Sequence, residues 1–373
     1  MIKKRWRMNK ERMTAILMLL PSVILLGVFV YGFIIQTAYS SFTDWQGLTS
    51  PGDADFIGLE NYRDLFSGLL NARFRQSLVN TLFFTIFFII GCISLGLTFA
   101  ILLDQGVRFE GFFRLIFLYP MSLSFIVTGT VWRWLFNPGG GINRLPEYFG
   151  LDPIGFRWLT DRSQIWKFDW NQVPRYFGFL LMAVLVIYAY RYWRKQQNIW
   201  AAVFGLISVA TLAWLVTGGA DKIQILPVRE EHGFNVAMIG IIIAAIWQMA
   251  GYVMAMYLAG IRGISDELRE AARVDGANEI QVYQKIILPL LQPITLSAMI
   301  VLGHISLKIF DLIFVMTGPD YSSTDVPGTL MFVTSFRGNQ FATGAAIAIV
   351  MLILVAMVII PYLVTTLRSE HEL

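Results

Sequence analysis

The sequence predicts an all-α integral membrane protein with about eight transmembrane helices. Of its 373 residues, 56% are hydrophobic and 14% are charged, whereas soluble domains average about 45–50% apolar and roughly 25% charged residues. The apolar residues form runs separated by polar segments, and a run of about 20 residues can cross a bilayer as a helix. Six basic residues against one acidic residue precede the first run, which predicts a cytoplasmic N-terminus, residues 1–13.

Residues 14–136 are predicted to hold the first three helices. Their expected bounds are Thr14–Tyr39, Leu78–Leu103 and Leu115–Phe136, with a polar external loop at 41–77. The first run is too long for a cleavable signal peptide and lacks a small-residue cleavage site, so we expect it to remain as a helix.

Residues 137–235 are predicted to form an external loop followed by a pair of shorter helices, Tyr176–Tyr190 and Ile199–Thr217. The first has only about 15 residues between charges, so its flanking arginines must extend toward the membrane surface. If both helices cross, the basic residues between them lie in the cytoplasm, as the positive-inside rule requires. These residues are Arg191, Arg194 and Lys195.

Residues 236–367 are predicted to hold the last three helices, Val236–Gly260, Ile294–Met316 and Phe341–Leu367, before a cytoplasmic C-terminus at 368–373. A polar loop, residues 262–293, separates the first two. Membrane insertion does not explain this loop. It faces the cytoplasm whether the chain crosses eight times or, without the pair at 163–235, six times.

The loop has the local pattern of two short helices that meet at a turn. Ser265 is predicted to cap the first helix and Asn278 the second, and acidic residues follow both caps, where the helix dipole favours them. Gly276 stands where a left-handed residue ends the first helix. Pro289 is predicted to end the second helix.

This loop resembles the EAA loop of the permease subunits of ATP-binding cassette (ABC) importers. The matching residues are Glu270, Ala271, Ala272, Asp275, Gly276, Ile286, Leu288 and Pro289. The resemblance implies that the loop inserts into a groove on a cytoplasmic ATPase and transmits its closure to the membrane helices. Glu270 is implied to contact the ATPase and Gly276 to permit the bend. An amphipathic loop that lies on the membrane surface is the alternative interpretation.

Three further segments are similar to carbohydrate-type permeases of this family, with maltose-transporter-like permeases as the nearest analogy. They are Phe56–Tyr62, Trp132–Pro138 and Phe310–Pro319. The last lacks one glycine of the usual pattern, and the helix pair at 163–235 departs from the family's six-helix core. The resemblance implies a bacterial or archaeal cytoplasmic (inner) membrane and sugar import. It also implies two ATPase copies, a second and different permease chain, and an external solute-binding protein.

The sequence contains no motif for catalysis or cofactor binding. A G-x-x-x-x-G-K-[ST] phosphate loop is missing, so the family resemblance assigns ATP and Mg²⁺ to the partner ATPase. The three histidines are scattered and Cys92 is the single cysteine, which excludes a His/Cys metal cluster and an intrachain disulfide. The basic charge lies on one side of the membrane and predicts contact with lipid rather than nucleic acid.

Polar residues within the apolar runs are candidates for the substrate path. Ionisable groups in a membrane are costly and usually face a bundle interior or a watery cavity. The candidates are Gln248, Tyr252, His304, Ser306, Lys308 and Asp311. Lys308 and Asp311 are three residues apart and could instead pair on one helix face, which would lock that helix against a neighbour.

Three other classes of protein fit this sequence less well. An ATP-independent secondary transporter or channel would carry inverted repeats, which the sequence does not display, and would not need the 262–293 loop. An intramembrane enzyme lacks a recognisable motif, and a scaffold or receptor leaves the ionisable residues of the membrane runs unexplained.

Overall fold

Helices dominate residues 10–371, the part of the chain that this computed structural model describes. The α-helices are α1 (Lys10–Leu26), α2 (Phe33–Ser40), α3 (Glu60–Ser67), α4 (Ala72–Asp104), α5 (Glu110–Leu118), α6 (Phe125–Leu135), α7 (Gly141–Arg144), α8 (Val173–Arg194), α9 (Asn198–Val216), α10 (Ala237–Arg262), α11 (Asp266–Val274), α12 (Glu279–Val282), α13 (Leu288–Leu290), α14 (Gln292–Leu307), α15 (Asp311–Thr317), α16 (Pro327–Phe332) and α17 (Phe341–His371). The strands are β1 (Gln164–Asp169) and β2 (Glu231–Asn235). Most of the predicted cytoplasmic segment 1–13 and the last two residues of 368–373 lie outside the described part.

Six helical segments of the described residues are long and apolar enough to cross a membrane, and two bent helix pairs bring the number to eight. This agrees with the eight spans expected from the sequence. The inserted pair is included, as α8 and α9, and α8 extends well beyond the 15 residues predicted for it.

The chain divides into two compact units. One contains the described part of residues 1–63 together with 331–353, and the other contains 64–330 together with the described part of 354–373.

In the smaller unit, the segment after the first span folds back on that span's end. The Asn61 side chain donates hydrogen bonds to the carbonyls of Ser41 and Thr43, at 3.0 and 2.7 Å. The Tyr62 hydroxyl lies 2.6 Å from Ser41 Oγ. The Phe56–Tyr62 segment therefore closes the turn that follows the first span.

In the larger unit, α10 is the central helix and packs along α4. Within its most apolar stretch 72% of residues are buried, against 28% for α4. Phe84 and Phe88 of α4 and Val253 and Met254 of α10 are fully buried. Because lipid tails are as apolar as these side chains, the contact depends on close packing rather than on the hydrophobic effect.

The third span is broken, which makes the predicted single helix Leu115–Phe136 wrong. α5 and α6 meet at an angle of 101°. Pro120 lies at the break and cannot donate a backbone hydrogen bond. Ser124 then caps α6 by accepting a bond from Val127 N, so the chain restarts as a new helix in another direction.

The seventh span is also shorter than predicted, because α14 ends at Leu307 and α15 begins at Asp311. The Ser306 hydroxyl donates to the carbonyl of Gly303, a side-chain bond that competes with the helical backbone bonds. Lys308 stands at the carbonyl end of α14 and Asp311 in the first turn of α15, where each charge suits the helix dipole.

The flanks of the inserted helix pair form a short antiparallel strand pair that the sequence did not predict. Ile165 of β1 lies opposite Phe234 of β2, and Phe168 opposite His232. The segment predicted as an external loop thus closes the base of the insertion. Arg75, 2% exposed, holds this base to the start of α4 through a bidentate pair with Glu230.

Candidate functional site

The loop between α10 and α14 forms a bent helical hairpin, here called the coupling hairpin (residues 262–293). α11 and α12 meet at Gly276, whose φ of +86° lies in the left-handed region. Asn278 caps α12 by accepting a bond from Gln281 N, and the Gln281 side chain accepts one from Asn278 N. The predicted turn and second cap are confirmed.

Two details of the predicted hairpin are wrong. Ser265 occupies the cap position of α11, but its side chain makes no capping bond. The acidic residues Asp266 and Glu267 stand in that first turn instead. Pro289 does not end the second helix, because it lies in the first turn of α13, where its missing N–H is tolerated. A π-helical segment, Tyr283–Ile287, precedes it, and the chain bends by 62° only after Leu290.

An ion pair spans the turn of the coupling hairpin. Arg273 of α11 donates to Glu279 of α12 at 2.8 Å. The guanidinium holds the pKa of Glu279 below its ordinary value, and Glu279 in turn raises the pKa of Arg273. Both side chains are exposed, so the pair contributes little stability alone, but it bridges the two helices beside Gly276.

A second group of polar contacts, here called the Asp104 cluster (Asp104, Arg269 and Tyr283), joins the hairpin to α4. Arg269 donates to Asp104 Oδ2 at 2.9 Å and to the carbonyl of Ile261 at 2.8 Å. The Tyr283 hydroxyl donates to the same carboxylate oxygen at 2.6 Å. Burial and the adjacent carboxylate raise the pKa of Tyr283, so its hydroxyl remains a donor.

The Asp104 cluster was not predicted from the sequence. Its members are separated by 165 and 179 positions, and no local pattern joins them. Arg262, at the end of α10, adds a further link by pairing with Glu110 of α5 at 2.8 Å. The coupling hairpin is therefore fixed to the ends of α4, α5 and α10.

The exposed surface of the coupling hairpin combines apolar and acidic side chains. Val274 is 87% exposed and Ile280 is 68% exposed. Of the residues expected at this site, the structure places Glu270, Ala271, Asp275, Gly276 and Pro289 on the exposed surface, whereas Ala272, Ile286 and Leu288 are half-buried. Ala272 packs against the core, so the two alanines face different neighbours.

The substrate-path candidates on α10 lie near the broken third span. Gln248 is 2% exposed and donates to the carbonyl of Leu123 at 2.7 Å, while its Oε1 has no hydrogen-bond partner. Tyr252 is half-buried against the same core. Gln248 thus satisfies one carbonyl at the break and presents one unpaired acceptor.

The candidates on α14 and α15 fall into two groups. Ser306 is buried and accepts from Thr85 of α4 at 2.9 Å, which makes it a helix-packing contact. His304 is half-buried with an unpaired Nδ1, and Lys308 and Asp311 are exposed. The alternative interpretation, a Lys308–Asp311 pair on one helix face, does not hold, since α14 ends at Leu307, α15 begins at Asp311 and no ion pair joins the two within the described residues.

Two residues of α6 are further candidates for the substrate path that were not predicted from the sequence. Thr128 Oγ1 and Trp132 Nε1 are buried without hydrogen-bond partners and lie one helical turn apart. Trp132 packs edge to face on Trp247 at 5.8 Å and lines a cavity of about 430 Å³ between α4, α5 and α10. The sequence signal was available, because Trp132 and Thr128 share one face of a helix.

The comparisons with known proteins identify the family. The family of binding-protein-dependent transport system inner membrane components matches residues 202–369. The chain is 36% identical to a probable ABC transporter permease protein of Pyrococcus horikoshii, over 96% of this chain and 97% of the relative. It is 32% identical to the xylose/arabinose import permease protein XacH of Haloferax volcanii, over 91% and 84% of the two chains.

A solved structure shares the fold. It is a bacterial ABC transporter involved in the import of the acidic polysaccharide alginate, with a TM-score of 0.63 at 20% identity over 95% of this chain and 97% of that chain. The similarity extends over nearly the whole length of the chain, and a bent helical hairpin lies between α10 and α14, as the sequence predicted. The chain therefore belongs to the permease subunits of binding-protein-dependent ABC importers.

Proposed function

We propose that this permease translocates a sugar, driven by ATP hydrolysis on a separate subunit that grips the coupling hairpin. The coupling hairpin carries this proposal. Its turn is bridged by Arg273 and Glu279, and the Asp104 cluster ties it to α4. A displacement of its tip would therefore move α4, and the helical chain through Leu290 would move α14.

The exposed tip suits insertion into a groove on another protein. Val274 and Ile280 offer apolar side chains beside the acidic Glu270 and Asp275, and buried apolar anchors within a polar rim are typical of protein interfaces. With no phosphate loop in the sequence, ATP and Mg²⁺ are assigned to the partner ATPase. Two ATPase copies are proposed, one for each permease of a pair.

A second permease is proposed to cover an apolar groove on the larger unit. The groove, of about 620 Å³, lies among α4, α14 and α17 and is lined by Leu82, Ile89, Met299 and Val358 among others. His304 is on α14, the helix that forms one wall. The second permease is proposed to be a different chain, following the resemblance to maltose-transporter-like permeases, and an external solute-binding protein completes the importer.

The sugar class is supported by two observations. The relative XacH is named as a xylose/arabinose import permease. The Phe310–Pro319 segment is similar to the corresponding segment of carbohydrate-type permeases. For the path itself we retain Gln248, Tyr252, His304, Lys308 and Asp311, and assign Ser306 to packing against Thr85. Thr128 and Trp132 join the path because unpaired buried polar atoms beside aromatic faces suit a sugar's hydroxyl groups and ring.

Uptake by proteoliposomes that contain the importer and internal Mg²⁺–ATP tests the sugar class. Labelled xylose, arabinose and maltose are supplied with the binding protein, and Gln248→Leu/Thr128→Val is compared with the wild type. Accumulation of at least one sugar, reduced in the variant while basal ATP hydrolysis is retained, supports the proposal. Accumulation of none of the sugars, together with uptake of a non-carbohydrate solute, contradicts it.

We further propose that the coupling hairpin and both termini face the cytoplasm. Cys92 is the only cysteine and is fully buried, so single introduced cysteines report on sidedness. A membrane-impermeant maleimide should label Val274→Cys only from the cytoplasmic side and Tyr148→Cys, at an 85% exposed position, only from outside. Labelling of Val274→Cys from outside would contradict the proposed orientation.

A further inference from the structure

The inserted helix pair α8–α9 stands apart from the core, and its far end carries unusual charge. α8 and α9 pack mainly on each other and on the adjoining turns Trp170–Gln172 and Ala220–Lys222. Most of their apolar side chains are exposed, as expected of helices surrounded by lipid. The far end of this helix pair, residues 188–200, is here called the α8–α9 tip.

The α8–α9 tip is cationic, and the helix pair contains no acidic residue that could balance its charge. Residues 170–220 contain four basic residues and no aspartate or glutamate. Three of the four cations are at the tip: Arg191, Arg194 and Lys195. None of these three forms an ion pair with another described residue, so their charge is left available to an anion from outside the chain.

The tip also has a shaped recess. Tyr188, Arg191, Tyr192 and Lys195 lie on one face of the end of α8 and line a cavity of about 200 Å³. Phe204 of α9 stacks on both tyrosines, with ring centroids 5.7 and 5.4 Å apart. The stacking fixes the wall of the recess, while a guanidinium, an ammonium and two hydroxyls supply the hydrogen-bond donors that a phosphate accepts.

The position of the tip selects a membrane phosphate. The 22 residues of α8 extend about 33 Å, close to the roughly 30 Å of a hydrocarbon core. The base of the insertion is held by Arg75 near the start of α4, whereas the coupling hairpin binds Asp104 at the end of α4. If α8 crosses the membrane, its tip therefore emerges at the surface on the coupling-hairpin side.

Exposed tryptophans mark the same level. Trp193 and Trp200 are exposed on either side of the turn between α8 and α9, and tryptophan concentrates at the headgroup level of bilayers. The first amides of α9 also lack a side-chain cap, and such amides favour an anion.

From these observations we propose that the α8–α9 tip binds the phosphate headgroup of an anionic phospholipid. This lipid lies in the leaflet on the side of the membrane where the coupling hairpin is found. The site lies outside the proposed sugar path and the ATPase contact. It anchors an element that has few contacts with the rest of the chain. Arg191 and Lys195 bind the phosphate, and Tyr188 and Tyr192 complete the recess.

Native mass spectrometry of the purified full chain with phosphatidylglycerol or phosphatidylcholine tests this proposal. Wild-type protein should bind phosphatidylglycerol in preference to phosphatidylcholine. Arg191→Gln/Lys195→Gln should weaken phosphatidylglycerol binding about 30-fold, the factor for two basic contacts with an anionic headgroup. The matched control Arg175→Gln, a cation at the opposite end of α8, should leave binding unchanged.

Three outcomes would overturn the proposal. They are equal binding of the two lipids by the wild type, unchanged binding in the double variant, or displacement of phosphatidylglycerol by equimolar inorganic phosphate, which would indicate a site for free phosphate. Equal binding of the two lipids by the wild type overturns the proposal even if the double variant fails to fold. Because no ATPase or sugar takes part, the outcome is independent of the proposed transport function.

Discussion

At the scale of single residues, Gly276 determines the bend of the coupling hairpin. Its φ of +86° is unfavourable for residues with a Cβ atom, although its surroundings leave open space. Backbone conformation, and not crowding, is therefore the reason for glycine here.

Replacement of Gly276 by valine should uncouple ATP hydrolysis from transport. The left-handed conformation costs a β-branched residue about 1–2 kcal/mol. A cost of about 1.4 kcal/mol would lower the ratio of bent to unbent hairpin about tenfold. The measurement is the ratio of sugar transported to ATP hydrolysed. Gly276→Asn, which tolerates this conformation better, should retain most coupling, and equal coupling in Gly276→Val and the wild type would contradict the role of the bend.

Gly251 is required for another reason, close approach of two backbones. A Cβ at this position would lie 1.9 Å from the carbonyl oxygen of Phe117, beside the broken third span. Gly251→Ala should destabilise the permease by about 1–3 kcal/mol through overpacking, seen as a lower thermal midpoint in detergent. Gly205→Ala on α9, where nothing lies within 4 Å, is the control and should be neutral or slightly stabilising; a matching loss in both variants would refute the packing argument.

The role of a single residue could be predicted from the sequence where that role depends on near neighbours in the chain. Gly276 and Asn278 are in this class, because a turn and a cap are defined within four residues. Ser306 is not, since its partner Thr85 lies 221 positions away. Its polarity suggested a substrate path, and the structure gives it a packing contact.

At the scale of elements, the Asp104 cluster makes the coupling hairpin and α4 act as one unit. Arg269→Gln removes hydrogen bonds to a charged group and should weaken this attachment by about 1.5–3 kcal/mol. Sugar transport should fall more than ATP hydrolysis. Arg144→Gln is the control, because it removes an exposed pair with Glu147 outside the coupling hairpin that contributes about 0–1 kcal/mol; a larger transport defect in the control would contradict the assignment.

The strand pair at the base of the insertion should loosen in acid because of His232. Burial lowers the pKa of His232 below its ordinary 6.5, and its Nδ1 accepts a bond from Trp170 at 2.6 Å. The opened state therefore binds more protons, so the stability present above about pH 6.5 is lost as pH falls through and below that value.

Hydrogen exchange of β1 and β2 between about pH 8 and pH 5 checks this prediction. After correction for intrinsic rates, protection should decrease toward pH 5 in the wild type. His232→Gln should show much less pH dependence, and an unaltered pH profile in that variant would assign the effect to another group.

Elements were predictable where a long apolar run defines them. The existence of eight spans followed from composition, whereas the breaks did not. Pro120 lies inside an apolar run that is long enough to span the membrane as one helix, so composition does not reveal the break. No proline or glycine marks the end of α14 at Leu307. The β1–β2 pairing joins Gln164 to Asn235, and sequence periodicity carries no information on such distant partners.

At the scale of the whole molecule, the coupling hairpin and the broken spans lie at different parts of one helical scaffold. The hairpin is attached to α4, α5 and α10, and α10 carries Gln248 against the break between α5 and α6. A pull on the hairpin can therefore reach the proposed path through α10. This continuity gives a physical route from the proposed ATPase closure to access of the path.

The most direct test of this account is sugar uptake by proteoliposomes that contain the permease pair, with and without its ATPase subunits. Mg²⁺–ATP is supplied on the side of the coupling hairpin, and the binding protein on the other. The account predicts uptake only when both ATP and the ATPase are present, and its loss in Gly276→Val. Equal uptake without the ATPase would contradict it.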